Sequence, residues 1–413
     1  DIKRRSHLFS SGLHRLINKF TMAAGGNNSS YVSSGLKRSN LIAVGLILML
    51  AELVWIVQTT LNNDCGGDGG EGMLDGAIPY EKIRLQAAMD SQSFSQQPNL
   101  SFQRYFRQWD YDEHPFPCFP VEKQWRVVQV MRSPARTGLL FIRNMKTGSS
   151  TLGGIAIRIA RAMKRKAPTP LDAEMCRVRY DHTRAVDLKF GERKFNQSYL
   201  FSFIRDPNKR AISEFFHFGV SRFKQEPNDA NFQKYFRDRW FLDNYFLWDM
   251  ALHGYQPGNN KTAAVESIMQ GYDFIGLTER MDESLVVLKM LLGLELNDVL
   301  YLASSKGNGG FDDGAYMGKC HYIIPKHITP GMKEWMASDE WKKRIDGDYM
   351  LYQAANRSLE MTIEKLGREE VYRQLHEFQR LKKLAVDKCT ATTIFPCTPD
   401  GNLHRLNHSC LWW

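Results

Sequence analysis

The chain has 413 residues and a formal net charge of +10, and its length allows either one large α/β domain or two smaller domains. The positive charge is spread along the sequence and favours polyanionic ligands. No nucleic-acid-binding motif accompanies this charge, so we exclude nucleic acid as a partner.

The N-terminal part predicts a membrane anchor. Residues 1–40 are basic and rich in Ser, Asn and Gly, which is typical of a disordered tail. Residues 41–61 are apolar except for Glu52, Gln58 and two threonines, and as a helix they span roughly 31 Å, enough to cross a hydrocarbon core of about 30 Å. A cleaved signal peptide and a buried core helix are the alternatives. A signal peptide has a shorter apolar region and a small-residue cleavage site, and no such site is obvious after Val57.

The flanking charges predict the orientation of this anchor. Basic residues precede the span and acidic residues follow it, which sets the N-terminus in the cytoplasm and the remainder in the lumen, as in a single-pass type II protein. Lumenal exposure agrees with the acceptor sequences for N-glycosylation that follow the span. These begin at Asn99, Asn196, Asn260, Asn356 and Asn407.

All seven cysteines follow the predicted span, so in an oxidising compartment some are expected to form disulfides. Cys389 and Cys397 are the nearest pair in the C-terminal part and are predicted to bond to each other. Cys65 is predicted to link two chains into a homo-oligomer. No two cysteines have the Cys-x-x-Cys spacing of a zinc site, so no metal is expected.

Composition divides the lumenal part into three segments. Residues 62–100 are rich in Gly, then in Gln and Ser, and predict a flexible stem. Residues 101–388 hold the dense aromatic and apolar pattern of a globular domain. Residues 389–413 contain Cys and Pro and predict an irregular tail.

The residues from Phe141 to Thr151 (Phe-Ile-Arg-Asn-Met-Lys-Thr-Gly-Ser-Ser-Thr) join a predicted strand to a predicted helix. The apolar run 138–142 is typical of a buried parallel strand, and 152–166 repeats apolar residues at helical spacing. The connecting turn holds one lysine, one glycine and four hydroxyl side chains, which together with a helix N-terminus favour an anion. Met145 precedes the lysine where a Walker A loop has glycine, so an ordinary ATPase loop is not indicated.

A second apolar run, 197–204, also predicts a strand and ends in Arg-Asp-Pro. Pro207 suits the first turn of a helix. This helix carries Ser213 about two turns beyond Arg205, so a guanidinium group and a hydroxyl can converge on a second anion.

The rest of the globular segment continues the alternation of strands and helices. Strands are predicted over 272–277 and 299–303, a helix over 281–292, and a helix-rich aromatic region used for packing over 231–253. This alternation is typical of a parallel sheet covered on both faces. Ligands of such sheets bind beyond the carboxyl ends of the strands, where both motifs lie.

The lysine loop and the Arg-Asp-Pro segment, in this order and each after a strand, resemble the two nucleotide-binding motifs of Golgi carbohydrate sulfotransferases. These enzymes use 3′-phosphoadenosine 5′-phosphosulfate (PAPS), and the similar members include glycan 2-O-sulfotransferases and galactose 3-O-sulfotransferases. The resemblance covers residues 138–360. It implies a three-layer α/β/α fold with a central parallel sheet, a P-loop-like sulfotransferase fold preceded by the transmembrane helix. It also implies residence in the Golgi membrane.

The resemblance assigns roles to the residues of both motifs. The residues implied to hold the 5′-phosphosulfate are Lys146, Thr147, Gly148, Ser149, Ser150 and Thr151. Lys146 is also implied to stabilise the leaving group. Arg205 and Ser213 are implied to hold the 3′-phosphate.

Among the eleven histidines, His182 is our candidate for the general base that deprotonates the acceptor. Similar enzymes carry their catalytic histidine in the interval between the two motifs, and the pKa of histidine suits this role. His217 and His321 are the alternatives. Tyr180 stands where the 2-O-sulfotransferases have a second histidine, which is a departure from that group.

The expected reaction transfers a sulfuryl group from PAPS to a glycan hydroxyl in the Golgi lumen and releases adenosine 3′,5′-bisphosphate (PAP). A tyrosyl-protein sulfotransferase is one alternative, with the same donor and an acidic peptide acceptor. A P-loop-type kinase acting on a small molecule or sugar is another, but it requires a Walker lysine–Ser/Thr pair and an acidic magnesium site, and neither is apparent in the sequence.

Overall fold

The computed structural model of the chain describes residues 103–113, 137–166, 178–238, 243–256, 258–302, 309–311, 319–389, 397–398 and 400–402. The predicted basic tail, membrane span and stem lie outside these residues. Within them, every helix is too short or too polar to cross a membrane.

Four strands form a parallel sheet: β1 (Gly138–Ile142), β2 (Val178–Asp181), β3 (Ser198–Ile204) and β4 (Phe274–Leu277). Their order across the sheet is β2-β1-β3-β4, and all three neighbouring pairs are parallel. Every residue of β1, β3 and β4 is buried. Because successive side chains of a strand point to opposite faces, both faces of these strands are covered. The predicted α/β class with a parallel sheet is confirmed.

Helices connect and surround the strands. In the described part of the chain they are α1 (Ser149–Arg165), α2 (Pro207–Glu214), α3 (Asp229–Arg237), α4 (Tyr245–Met250), α5 (Lys261–Gly271), α6 (Met281–Leu291), α7 (Leu296–Val299), α8 (Pro330–Ala337), α9 (Asp339–Leu366) and α10 (Arg368–Cys389). A π-helical segment, Phe215–Arg222, continues α2. Two short strands, β5 (Gly310–Phe311) and β6 (Tyr322–Ile323), pair antiparallel.

Capping side chains determine where several helices begin. The Asp206 carboxylate accepts a hydrogen bond from the Lys209 N–H at the start of α2, and Pro207 occupies the first turn. Asn228 and Ser338 cap α3 and α9 in the same way. Each such cap stabilises a helix by about 1 kcal/mol, so these helix starts are encoded locally.

Aromatic side chains from the region 231–253 lie inside the molecule. The Phe232 ring meets that of Phe215 edge-on, with ring centres 5.1 Å apart, in a cluster that also includes α8 and the start of α9. Tyr245 and Phe246 of α4 belong to the main core over the sheet. The predicted use of this region for packing is confirmed, and the packing anchors the π-helical segment beside α3.

One prediction of local structure is wrong, and one strand was not predicted. Val299 was predicted to begin a strand, but it ends the single turn of α7. The turn is favoured by a capping box, in which Glu295 and Asp298 each bond the other's backbone N–H. The sequence also did not predict β2, which pairs with β1 at the edge of the sheet.

The predicted bond between Cys389 and Cys397 is also wrong. Cys397 forms a disulfide with Cys320, which precedes β6, and their Cα atoms are 5.7 Å apart. Partners so distant in sequence are brought together by the folded chain rather than by local spacing. The predicted link through Cys65 lies outside the described residues.

Three of the predicted glycosylation sequences fall on described residues. Asn196 is exposed before β3, and Asn260 is exposed while its side chain caps α5. Asn356 is half-buried within α9, and its side-chain oxygen accepts a hydrogen bond of 2.7 Å from Arg280. Glycan attachment is therefore sterically favoured at the first two positions and disfavoured at Asn356.

Candidate functional site

The turn between β1 and α1, residues Asn144–Gly148, has an unusual backbone, and we call it the anion loop. Lys146 adopts a left-handed conformation with φ of 65°, and Gly148 has φ of 75°. Such a conformation costs a non-glycine residue about 1–2 kcal/mol. A Cβ atom at Gly148 would lie 2.8 Å from the terminal methyl of Met281, which would have to move, so glycine is favoured there by its φ and by this contact.

Two neighbouring elements hold the centre of the anion loop. The Met145 N–H donates to the hydroxyl of Tyr245 on α4 at 2.9 Å. The Lys146 carbonyl accepts from Arg205 Nη1, directly after β3, at 3.3 Å. The bond between Arg205 and Lys146 joins the two motifs that the sequence predicted to share a site.

Further hydrogen bonds hold both ends of the anion loop. The Thr278 hydroxyl, just beyond β4, lies 3.0 Å from the Thr147 carbonyl and 3.0 Å from the Ile204 carbonyl. The buried Asn144 amide donates to the hydroxyl of Ser202 on β3 at 2.8 Å. Bonds from β3, β4 and α4 thus compensate for the strained backbone at Lys146.

The N-terminus of α1 has the features of an anion site. Its N-cap is Gly148, so no side chain caps the first backbone N–H groups, and its first turn contains no acidic residue. Arg143 adds positive charge there, since its Nε donates to the Ser149 carbonyl at 3.0 Å and its Nη2 lies 3.4 Å from the Ser150 hydroxyl. The helix dipole places a further partial positive charge at the same end.

Arg205 is largely buried at the end of β3, with 21% of its side chain exposed. Its Nε lies 3.6 Å from Glu279 Oε1, just beyond β4. Burial lowers the pKa of Arg205, and the Glu279 charge opposes that effect. Ser213 is buried on the second turn of α2, about 9 Å along the helix axis from Pro207.

The π-helical segment faces Lys146 with an imidazole and an aromatic ring. The Lys146 amine lies 5.9 Å from the centre of the Phe218 ring. Burial, followed by the positive charges of Lys146, Arg222 and His321, lowers the pKa of His217 to about 2. The imidazole of His217 is therefore neutral at physiological pH.

The segment after β6 adds positive charge beside the two motifs. The Ile324 N–H donates to the Ser221 hydroxyl at 3.0 Å, so this segment packs against the π-helical segment. Desolvation, followed by the charge of Arg205, lowers the pKa of Lys326. Lys326 therefore adds a cationic group near Arg205, which itself bonds the anion loop.

His182 follows β2 directly and is exposed. The last residue of β2, Asp181, pairs with Ile142, the last residue of β1. His182 and the anion loop therefore both lie at the carboxyl ends of the strands, and they follow two neighbouring strands, β2 and β1.

Sequence reasoning missed several residues that build this site. Thr278 and Glu279 follow β4 directly, so the rule that ligands gather beyond strand ends was sufficient to find them. Tyr245 and Asn144 act through hydrogen bonds to groups that are distant in the sequence, for which the sequence has no local signal.

The described residues contain no group of three or more His, Cys, Asp or Glu side chains that could hold a metal ion. No protein-family model matches the chain, and the search of curated proteins yields no match. The geometry of the site and the motif resemblance are therefore the guides to its function.

Proposed function

We propose that this protein is a PAPS-dependent sulfotransferase that transfers a sulfuryl group to a glycan hydroxyl. We further propose that it is a single-pass type II protein of the Golgi membrane with its catalytic domain in the lumen. Its fold would be the three-layer, P-loop-like arrangement of these enzymes. The parallel sheet, with the lysine loop and the Arg-Asp-Pro segment after neighbouring strands, supports this proposal.

The observation that carries the proposal is the hydrogen bond between Arg205 and the Lys146 carbonyl. PAPS carries a phosphosulfate on one side of its ribose and a phosphate on the other, so a protein that binds it needs two adjacent anion sites. The α1 N-terminus with Lys146 supplies one candidate site. Arg205 supplies the second, and the 3.3 Å contact keeps the two next to each other.

In the proposed mechanism the anion loop, with Ser149, Ser150 and Thr151, binds the 5′-phosphosulfate. Arg205 and Ser213 bind the 3′-phosphate. The acceptor oxygen attacks sulfur as the bond from sulfur to the bridging oxygen breaks, and PAP leaves with that oxygen. Lys146 neutralises the charge that develops on it, an electrostatic effect often worth several kcal/mol.

The acceptor hydroxyl must lose its proton during this attack, and we assign that proton to His182. Its position directly after β2, at the carboxyl end of the sheet where the anion loop also lies, supports the assignment. An exposed imidazole can return the proton to solvent after each turnover. His217 is the weaker candidate, because a pKa of about 2 makes it a poor base before the anionic donor binds.

The proposal is tested by incubating the full chain, purified in detergent, with sulfur-labelled PAPS, a panel of glycans and an acidic tyrosine peptide. We expect label on at least one glycan, and loss of at least about 100-fold in rate with Lys146→Ala. Lys166→Ala is the matched control, because Lys166 follows the opposite end of α1, where its amine bonds the Gly293 carbonyl. Transfer only to the peptide, or full activity of Lys146→Ala, would contradict the proposal.

A further inference from the structure

Helix α4 contains a buried pair of polar side chains directly behind the anion loop. Tyr245 and Asp249 lie one turn apart, with 1% and 2% of their surfaces exposed. The Tyr245 hydroxyl donates to Asp249 Oδ2 at 3.0 Å and accepts from the Met145 N–H at 2.9 Å. Because a hydroxyl has one hydrogen, donation to Asp249 leaves its lone pairs for Met145.

The helix that carries this pair is itself firmly held. The Asp348 carboxylate of α9 accepts hydrogen bonds from the Phe246 and Leu247 N–H groups at the start of α4, at 2.9 and 3.3 Å. The Arg210 guanidinium lies 4.0 Å from the centre of the Tyr245 ring. The hydroxyl of Tyr245 is therefore presented to the loop from a rigid support.

We infer that Tyr245 and Asp249 are positioning residues that fix the Asn144–Met145 peptide at the start of the anion loop, and so support the left-handed, anion-binding conformation of the next residue, Lys146. This inference deepens the proposed function and rests on it. The ring of Tyr245 fills the core, whereas its hydroxyl is the part that contacts the loop. Asp249 acts through Tyr245 by setting the direction of the hydroxyl proton.

The hydrogen bonds from the Tyr245 hydroxyl to Asp249 and from the Met145 N–H to the same hydroxyl form a relay between α4 and the anion loop. The groups around Asp249 determine the protonation state in which this carboxyl takes part. Burial raises the pKa of Asp249 to about 7, whereas the Tyr245 hydrogen bond and the charges of Arg210 and Arg184 lower it and that of Asp187 raises it. Above this pH the ionised carboxylate accepts the Tyr245 proton strongly. Below it, the neutral acid accepts more weakly and the relay loosens.

The test removes the hydroxyl alone. In the full chain, Tyr245→Phe is compared with Tyr199→Phe, because Tyr199 is also fully buried and its hydroxyl also bonds a backbone group, the Arg107 carbonyl at 2.9 Å. Tyr199 lies near the start of β3, at the end of the strand remote from the loop. We expect amide hydrogen exchange in residues 143–148 to rise about tenfold or more in Tyr245→Phe only.

Nucleotide binding and turnover provide the second readout. Tyr245→Phe is expected to lower kcat/KM by about tenfold or more and to weaken PAP binding, with little effect from Tyr199→Phe. Asp249→Asn keeps a neutral acceptor for the Tyr245 hydroxyl, so at pH 8 it should retain more activity than Tyr245→Phe. Because the amide does not titrate, its loss of activity as the pH falls below 7 should be smaller than that of wild type. Asp249→Leu, which has no acceptor, should behave like Tyr245→Phe.

The outcomes separate the inference from the proposed function. Unchanged loop exchange in Tyr245→Phe overturns the positioning role whatever the nucleotide result. If hydrogen exchange in the loop increases in Tyr245→Phe but wild type binds no PAP, the contact holds the loop without serving nucleotide binding. That result overturns both the role of the pair in catalysis and the proposed function. Equal loss of kcat/KM in Tyr245→Phe and Tyr199→Phe also overturns the inference, because it indicates general destabilisation.

Discussion

Lys146 combines a strained backbone with the side chain on which the proposed chemistry depends. Its φ of 65° is unfavourable for any residue with a Cβ atom. The bond from Arg205 to the Lys146 carbonyl and the bond between Tyr245 and the N–H of the preceding residue, Met145, support it there. Strain at this residue is compatible with a loop organised for binding rather than for stability.

This strain leads to a prediction that separates stability from activity. Lys146→Gly and Lys146→Ala should both lose sulfuryl transfer, because neither has the amine. The glycine variant should be more stable than the alanine variant by about 1 kcal/mol, since glycine adopts positive φ without a steric penalty. Urea unfolding of the two variants measures the difference, and a more stable alanine variant would contradict the account.

Two buried carboxylates predict how stability depends on pH. Burial raises the pKa values of Asp249 and Asp348 to about 7, above the ordinary value of 3.8. Between pH 4 and pH 7 these two carboxyl groups are therefore protonated in the folded state and ionised in the unfolded state. The stability contributed by each raised pKa is complete below about pH 4 and is lost as the pH rises through 7.

Removal of one ionisable group should flatten this dependence. In Asp249→Asn, the fall in the free energy of unfolding between pH 5 and pH 8 should be smaller than in wild type by about 2–3 kcal/mol. Denaturant unfolding at the two pH values measures it. Asp339→Asn is the control, because 92% of the Asp339 side chain is exposed, and it should follow wild type. An unchanged slope in Asp249→Asn would show that Asp249 stays ionised.

At the scale of elements, the parts that the sequence predicted well are those with strong local patterns. β1 begins and ends where its apolar run does, and α2 begins at the predicted Pro207. Burial on both faces makes β1 continuously apolar and β3 largely so, and this pattern can be recognised without a structure.

The elements that the sequence missed depend on long-range contacts. β2 reads Val-Arg-Tyr-Asp, which has little apolar character because it lies at the sheet edge and pairs with β1 alone in the described sheet. The strand predicted from Val299 was outweighed by the capping box at Glu295. The hydrogen bond from Met145 to Tyr245 joins residues 100 positions apart, which no local pattern encodes.

The position of His182 directly after β2 predicts that it, rather than His217 on the π-helical segment, accepts the proton. His182→Ala should lower kcat by about 100-fold or more and leave PAP affinity unchanged, because His182 acts on the acceptor rather than on the nucleotide. Single-turnover kinetics and calorimetry separate these effects. The exposed His327 provides the control, His327→Ala, which should stay active. If His217→Ala instead loses turnover while His182→Ala keeps it, the base lies on the π-helical segment.

At the scale of the whole molecule, the disulfide between Cys320 and Cys397 ties the segment that contacts the π-helical segment to the C-terminal part of the chain. The partners are 77 residues apart, so the bond restricts a long loop of the unfolded chain. In the chain-entropy description this stabilises the fold by about 4.5 kcal/mol.

The disulfide predicts a non-additive pattern of mutations. Cys320→Ser, Cys397→Ser and the double variant should each lose the same stability, because either single change removes the whole bond. Denaturant unfolding under non-reducing conditions measures the three losses. Additive losses would contradict the pairing, and an unstable Cys389→Ser with a stable Cys320→Ser would favour the pairing expected from the sequence.

Calorimetry with PAP decides whether the anion loop and Arg205 bind opposite ends of one bisphosphorylated nucleotide. We expect wild type to bind PAP, Arg205→Ala to bind it at least about tenfold more weakly, and Arg237→Ala to match wild type because Arg237 pairs with Glu340 on the surface. Absence of PAP binding to wild type, or equal affinity in wild type and Arg205→Ala, would refute this binding mode.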